Sequence, residues 1–510
     1  MTRTMSGSSA SRAASPAGYD VVILGGGVAG CVLASRLSED SGRTVCLVEA
    51  GPDYGPDRQA WPGTLLDARA LPRDDVWERH TDVHRIRARV LGGSSCVNGC
   101  WHTWGSAADH REWADAGGPR WSAGAMDPYR LRAIEQMRLR TVPDRELSVW
   151  ARAALAGARE LGYTDVDMAA AGGPGCGTPL INALDGLRWN AAFAYLEHAR
   201  SRPNLTILGR ATADRLTMRD GRVRGAEVLV DGRRETLEAD TFLVACGAFG
   251  SPALLLRSGI GPAGHVREAG IRPAVDLPGV GANLVDQPGV FVPLAPTAEL
   301  NAALAAKEEA GELYVSRMLI RAASKVCPEG SWDLHLLPSA GDPLFGTLPP
   351  GEYEAGISAF LMKPRSRGRV RLRSADPHAP LDIDPAFLTD PAGHDIAALR
   401  SGLGLVERLA ATAEFKPLAG PLEGRPPHDL PDEELRARLG TYWHPVGTCA
   451  MGRHDDPAAV VDGEGRVRGV DNLRVADASV LPTVPAANTQ LPVLALAELL
   501  ADAVKEAEGR

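Results

Sequence analysis

Hydrophobic and polar positions follow two rhythms along this chain, and the changes between them mark its elements. Tyr19-Asp20-Val21-Val22-Ile23-Leu24 is a short, nearly continuous apolar run, the pattern of a strand buried on both faces. Gly25-Gly26-Gly27-Val28-Ala29-Gly30 interrupts it, and an apolar-periodic stretch through Leu37 reads as a helix. Thr44-Val45-Cys46-Leu47-Val48-Glu49 is a second buried strand that ends in an acid. From Asp53 to Arg89 no period holds, and Pro, Asp and Arg are frequent, as in a long excursion between ordered segments. Residues 105–200 read as mainly helical, with Trp113, Trp121, Met126, Tyr129 and Leu131 as packing anchors. Strand patterns return at Leu205–Leu208 and Val223–Val230, with Asp220-Gly221 as a hairpin turn, and again at Asp240–Gly247. A helix over Ala253–Ser258 is stopped by Gly259-Ile260-Gly261. Strand-like pieces at Ile357–Met362 and Val370–Leu372 sit among Pro-rich loops, and an amphipathic helix, Pro492–Lys505, closes the chain. The sheet begun at Tyr19 thus resumes only near Asp240. This order predicts an α/β fold whose first domain is discontinuous and is covered by a second, sheet-based domain.

Composition narrows this picture. A chain of 510 residues has room for two or three domain-sized units, and 44% hydrophobic with 23% charged residues is an ordinary globular balance. A net charge of −9 without a strong basic run argues against a nucleic-acid partner. The eight cysteines contain no C-x-x-C pair and several lie in apolar strands, which fits reduced thiols in a cytoplasmic protein. Cys96 and Cys100 lack a second ligand pair, so no metal site is expected. Residues 1–18, rich in Ser, Ala and Arg without a signal-peptide core, read as a disordered tail. No apolar run reaches the roughly 18–20 residues that span a bilayer, so no membrane span is expected.

The strand–glycine–helix–strand unit carries the first chemistry. Gly25 permits a tight turn, Gly27 lets a pyrophosphate approach the backbone, and Gly30 lets helix and strand pack closely. The helix N-terminus offers unpaired N–H groups to phosphates. Glu49 stands where a carboxylate accepts hydrogen bonds from ribose hydroxyls, which argues against a 2′-phosphate; FAD and NAD both remain open on these residues alone. The second motif, Gly92-Gly93-Ser94-Ser95-Cys96-Val97-Asn98-Gly99, has small residues that let backbone press against a flat ring or phosphates, with Asn98 as donor and acceptor.

Three further motifs complete a set: Gly247-Ala248-Phe249-Gly250-Ser251-Pro252 through Gly261, Trp443-His444-Pro445-Val446-Gly447-Thr448-Cys449-Ala450-Met451-Gly452, and Val475-Ala476-Asp477-Ala478-Ser479 with Asn488-Thr489. With them the chain, over about residues 19–505, resembles the glucose–methanol–choline (GMC) oxidoreductases, a flavoprotein family. The resemblance implies a Rossmann-like FAD-binding domain plus an antiparallel-sheet substrate-binding domain. The expected division is 19–290 for the FAD domain, with a helical insertion at about 105–200, 291–435 for the substrate domain, and 436–510 for a return to the FAD domain. It also implies that Gly25, Gly27, Gly30 and Glu49 hold the ADP half with Ala213 near adenine, that Gly93 and Asn98 lie beside the isoalloxazine, and that Asp477, Ala478 and Thr489 contact pyrophosphate and flavin. His444 and Asn488 fall on the family's active-site pair. Three positions depart from the family pattern: Trp104 stands where Arg is frequent, Gln287 where His is common, and Val97 where members with covalent flavin carry His. The last implies non-covalent FAD.

Alcohol oxidation needs a proton removed from the hydroxyl and a hydride delivered to an acceptor. His444 is expected as the base and Asn488 as the group that orients the hydroxyl, or as a helix cap ahead of Pro492. Trp443 and Trp101 are expected in the substrate pocket, with Trp104 and His102 extending its wall. His335 is a pocket candidate by strand alternation, with a solvent-facing position as the other possibility. Cys449 is expected to pack rather than react. The resulting expectation is an FAD-dependent oxidoreductase acting on a small-molecule alcohol, with O2 or another electron acceptor, and a tryptophan-lined pocket suited to aromatic, furanic or apolar alcohols. The alternative is a hydroxynitrile lyase that keeps a non-redox FAD.

Overall fold

The computed structural model describes residues 18–69, 71–72, 75–77, 87–314, 316–341, 348–349, 351–420, 422 and 424–507. The expected N-terminal tail lies almost entirely outside the described residues. Strand β1 (Tyr19–Leu24) is the middle of a five-stranded parallel sheet in the order 473–475, 239–244, β1, 45–48, 205–208. Val21, Val22, Ile23 and Leu24 are all fully buried, as the unbroken apolar run requires of a strand covered on both faces. Helix α1 (Val28–Leu37) follows β1 and leads to β2 (Val45–Val48), which pairs with β1 in parallel register, Val21 opposite Val45. The strands at Ala239–Val244 and Leu473–Val475 flank β1 on its other side. The sheet is therefore assembled from segments spread across most of the chain.

Asp220-Gly221 forms the expected hairpin turn, both residues having positive φ (54° and 73°), and joins two strands of an antiparallel meander, Ala211–Arg219 and Arg222–Val230. Two expectations change. The helix expected from Ala253 runs over Gly247–Arg257 and contains Pro252. Proline cannot donate to the carbonyl four residues back, and that carbonyl, of Ala248, instead accepts from the Thr448 hydroxyl at 2.6 Å. A tertiary partner thus removes the penalty that made the proline read as a helix boundary. The helical expectation for 105–200 applies to Ala107–Gly117, Ala123–Gln136, Val149–Glu160 and the helical turns at Ala192–Leu196 and Glu197–Ala199, and fails between Gly175 and Arg188, where four short strands appear. Of the packing anchors, Trp113, Trp121 and Met126 are buried, whereas Leu131 is 52% exposed.

The second sheet is antiparallel with six strands, in the order 440–441, 288–293, 354–361, 334–341, 319–322, 175–177. One of the late strands, Gly175–Gly177, comes from the stretch read as helical, and completes the far edge of this sheet. The C-terminal helix, Gln490–Ala507, packs against α1 and Ala123–Gln136, and its fully buried Glu498 bridges Arg36 at 2.8 Å and Arg132 at 3.0 Å. Among the described residues no helix is long and apolar enough to cross a membrane, and all eight thiols are free.

A tight joint in the first domain is where α1 crosses β1. A Cβ on Gly30 would sit 1.9 Å from the Gly25 carbonyl oxygen, while one on Gly27 would find its nearest atom at 3.9 Å. Gly30→Ala is therefore expected to lose at least about 1–3 kcal/mol of stability, the usual cost of overpacking. Gly27→Ala should stay within about 0.5 kcal/mol of wild type. Melting curves of the two variants check this, and equal midpoints would contradict the packing argument.

Candidate active site

One cavity of about 450 Å³ runs from the glycine turns to the antiparallel sheet. Its wall includes Gly25, Gly27, Glu49, Gly93, Asn98, Ala213, Asp477, Ala478 and Thr489 along one length, and Trp101, Trp443, His444 and Asn488 along another. Gly30 is not on this wall; it lies under the α1–β1 crossing.

The first length fits a dinucleotide. Helix α1 begins at Gly27 with no side-chain cap and no acid in its first turn, so its leading N–H groups are free to meet phosphates. Gly93, with φ 56°, backs onto this turn so closely that a Cβ there would lie 2.7 Å from the Gly27 Cα. Glu49 accepts from the backbone N–H of Gly26 (2.9 Å) and of Gly51 (2.7 Å), one bond to each oxygen, which leaves lone pairs for ribose hydroxyls. Burial raises its pKa to about 7, against these hydrogen bonds and the charge of Arg89. At the other end the Nε2 group of Gln490 is buried without a hydrogen-bond partner, while its Oε1 accepts from Asn98. Such an orphaned donor on a cavity wall suits a ligand acceptor. Asp477 lies on the wall with its side chain engaged inside the protein. Its carboxylate is saturated by Gly247 N–H (2.8 Å), Ser251 hydroxyl, Ser479 N–H (2.8 Å) and Ser479 hydroxyl (2.6 Å). It locks the start of the Gly247–Arg257 helix to the 477–479 turn, and it is these backbone segments that it presents to the cavity.

His444 is held by a neighbour that the sequence showed only as a departure from the family pattern. Its Nδ1 lies 2.7 Å from Oε1 of Gln287. The Gln287 amide cannot turn over, because its Nε2 donates to the carbonyls of Pro485 (2.8 Å) and Met362 (3.3 Å). An amide oxygen can only accept, so Nδ1 carries the proton and Nε2 keeps its lone pair. Burial first, and then the positive charge of Arg87, bring the His444 pKa down to about 3, so the ring is neutral. The loop is braced from behind: Asp286 accepts from the His444 N–H (2.8 Å) and the Thr441 hydroxyl (2.6 Å), and the Arg87 guanidinium donates to the Trp443 carbonyl (2.9 Å). Those braces hold Trp443 at φ 61°, a conformation costly for a bulky side chain and typical of functional loops.

Asn488 arrives on a separate loop pinned along its length. Trp113 donates to the Thr483 carbonyl, Lys363 to that of Val484 (3.0 Å) and Trp332 to that of Ala486 (3.2 Å), while Ala486 N–H donates to the Asp109 carboxylate (3.0 Å). The Thr103 hydroxyl accepts from the Asn488 N–H (2.8 Å) and donates to its Oδ1 (3.0 Å). With Oδ1 engaged, Nδ2 is the amide's donor, one hydrogen directed to the Tyr442 hydroxyl and the other left for a ligand. Tyr442 lies between the two loops, its ring stacked on Phe360 (4.0 Å between centroids) and 4.5 Å from the His444 ring. Its buried hydroxyl has a raised pKa, so it stays protonated.

His335 is neither on the cavity wall nor facing solvent. It is fully buried behind Tyr442, 6.1 Å between ring centroids, and burial first, then the charge of Arg321, lowers its pKa. Strand alternation gave its direction within the sheet but not the aromatic layer in front of it. His102 and Trp104 are likewise buried outside the lining, Trp104 stacking on His110 at 5.0 Å. Four wall or brace residues had no sequence signal or only a slight one: Arg87 lies in the aperiodic stretch, Thr103 and Arg317 carry no motif, and Tyr442 is marked only by preceding the Trp443-His444 pair.

Comparison with known proteins agrees with this architecture. Two models described as GMC oxidoreductase match residues 19–289 and 364–497. The chain is 34% identical to the 5-(hydroxymethyl)furfural oxidase of Methylovorus sp. (strain MP688), covering 95% of this chain and 98% of that protein. It is 32% identical to the mitochondrial choline dehydrogenase of Mus musculus, covering 96% and 89%. The crystal structure of pyridoxine 4-oxidase from Mesorbium loti superposes with a TM-score of 0.82 at 28% identity, over 96% of this chain and 99% of that one. Five motifs in order, a parallel dinucleotide sheet and an antiparallel sheet closing over one cavity thus meet in a single assignment: the chain belongs to the GMC oxidoreductase family.

Proposed function

We propose that this protein oxidises the CH–OH group of an alcohol to a carbonyl, with FAD bound non-covalently in the glycine-lined length of the cavity. One observation carries the reading: an imidazole whose Nε2 is an obligate acceptor and an amide that presents Nδ2 as its donor share one cavity wall. A substrate hydroxyl needs both at once, giving its proton to Nε2 while its oxygen accepts from Nδ2. FAD, when bound, supplies a hydride acceptor at N5. His444 and Asn488 orient the carbinol so that its C–H bond can face that acceptor, and the neutral imidazole takes the hydroxyl proton. Val97, on the wall beside Asn98, has no atom that could form a bond to the cofactor. Trp77, Trp101 and Trp443 on the wall favour an aromatic, furanic or apolar body for the substrate.

Anaerobic mixing of the purified holoenzyme with a panel of primary alcohols, followed by the flavin's visible absorbance, tests the reading. Bleaching that reverses on admission of air marks an oxidase, and bleaching that persists until another acceptor is added marks a dehydrogenase. Turnover of a cyanohydrin without bleaching would contradict oxidation in favour of a lyase. His444→Ala is expected to slow flavin reduction by about 10²–10⁴-fold while FAD stays bound, the usual range for a lost general base. Parallel loss of FAD would make the residue structural instead.

The depressed His444 pKa sets a pH profile. With a pKa of about 3 the imidazole is a competent acceptor throughout the neutral and mildly acidic range, so the rate of flavin reduction should show no histidine limb near pH 6.5. Gln287→Glu places a carboxylate against Nδ1–H, which favours the imidazolium by roughly 1–3 pKa units. Its profile should therefore lose rate on acidification at a higher pH than wild type does. Superimposable profiles would contradict the role given to Gln287.

A further inference from the structure

The side chain of Arg317, just ahead of the strand Leu319–Ala322, is 2% exposed and lies on the wall of the same cavity. Its Nε and Nη2 groups are buried and have no hydrogen-bond partner. The ring of Tyr314 lies 3.8 Å from the guanidinium carbon and covers one face of it. The nearest carboxylate, Glu146, stands 3.9 Å from Nε, beyond hydrogen-bond reach. Glu146 is already committed: its other oxygen accepts from Arg140 at 2.6 Å, and Arg145 is 4.0 Å away. One carboxylate thus faces three guanidinium groups, and Arg317 keeps both a positive charge and unmet donors in a place where water is scarce. Among the described residues on the cavity wall the carboxylates are Glu49 and Asp477, both tied up by the protein at the dinucleotide length.

We infer that the substrate carries a carboxylate, which the Arg317 guanidinium receives while the carbinol carbon of the same molecule reaches His444 and Asn488. This rests on the alcohol-oxidising reading above. A carboxylate is planar and matches the guanidinium fork with two parallel hydrogen bonds, supplying the partners that Nε and Nη2 lack. A quaternary ammonium compound would meet a buried guanidinium whose one carboxylate neighbour is shared with Arg140 and Arg145, and be excluded. The site therefore separates this chain from relatives that take a cationic alcohol.

The test is calorimetric titration of the FAD-loaded enzyme with benzoate, its neutral analogue benzamide, and benzyltrimethylammonium, none of which can be oxidised at a carbinol. Wild type should bind benzoate at least about tenfold more tightly than benzamide and should not bind the cation. Arg317→Met should bring benzoate down to the level of benzamide, with Arg317→Lys keeping part of the preference. Glu146→Gln, which removes the competing carboxylate, should tighten benzoate and keeps the inference testable if the methionine variant does not fold. Equal affinity for benzoate and benzamide in wild type, or a preference that survives Arg317→Met, would overturn the inference and leave Arg317 as a packing partner of Glu146 and Tyr314. Flavin reduction by 4-(hydroxymethyl)benzoate, which carries a carbinol as well as a carboxylate, separately tests the oxidising reading. Its failure would sink that reading while leaving the benzoate preference intact.

Discussion

The hydrogen bond between Gln287 and His444 is the constraint through which the two halves of the site are joined. Gln287 spends its amide nitrogen on the carbonyls of Pro485 and Met362 and its oxygen on Nδ1 of His444. One side chain therefore fixes the tautomer of the imidazole and ties its loop to the loop that ends in Asn488. A hydrogen bond of this kind contributes only about 1 kcal/mol to stability. Its weight here is geometric, since a free rotation of the amide or the ring would turn an acceptor into a donor at the point where a proton is to be received.

Around that joint the fold supplies rigidity from distant parts of the chain. Asp286, Thr441 and Arg87 hold the His444 loop in a strained conformation at Trp443, and Asp109, Lys363, Trp113 and Trp332 hold the Asn488 loop. The C-terminal helix that follows Asn488 is anchored in turn by the buried Glu498 against α1 and the Ala123–Gln136 helix. The glycine crossing of α1 over β1 and the loop bearing Asn488 thus share one helical layer. Positive charge recurs where the dinucleotide does not account for it, at Arg87 and Arg317 on the cavity wall, and this gives the wall beyond the glycine-lined length an electrostatic character of its own.

What could be read from the chain beforehand follows from how local each feature is. The strands at Tyr19–Leu24 and Leu205–Leu208, the Asp220-Gly221 turn and the C-terminal helix announce themselves through period and turn chemistry within a few residues. The glycine turns, Glu49, Asn98, His444 and Asn488 were legible because ordered motifs mark them. Features that depend on contacts between distant segments were not. Pro252 reads as a helix boundary until Thr448 is known to satisfy the carbonyl it orphans. Gly175–Gly177 reads as part of a helical region because three residues carry too little pattern to reveal the sheet edge they complete. His335 alternates correctly in its strand, yet Tyr442, more than a hundred positions away, stands between it and the cavity. Gln287 looked like a loss, a missing histidine, and its amide is the group that gives the remaining histidine its direction.

The most direct test of this arrangement is nitrogen NMR of the holoenzyme with labelled histidine, His444 being assigned by comparison with the His444→Ala variant. The expected spectrum shows a neutral ring protonated at Nδ1 and bare at Nε2 at neutral pH, unchanged on mild acidification. A ring protonated at Nε2, or an imidazolium at neutral pH, would contradict the claim that Gln287 holds this imidazole ready to accept a proton.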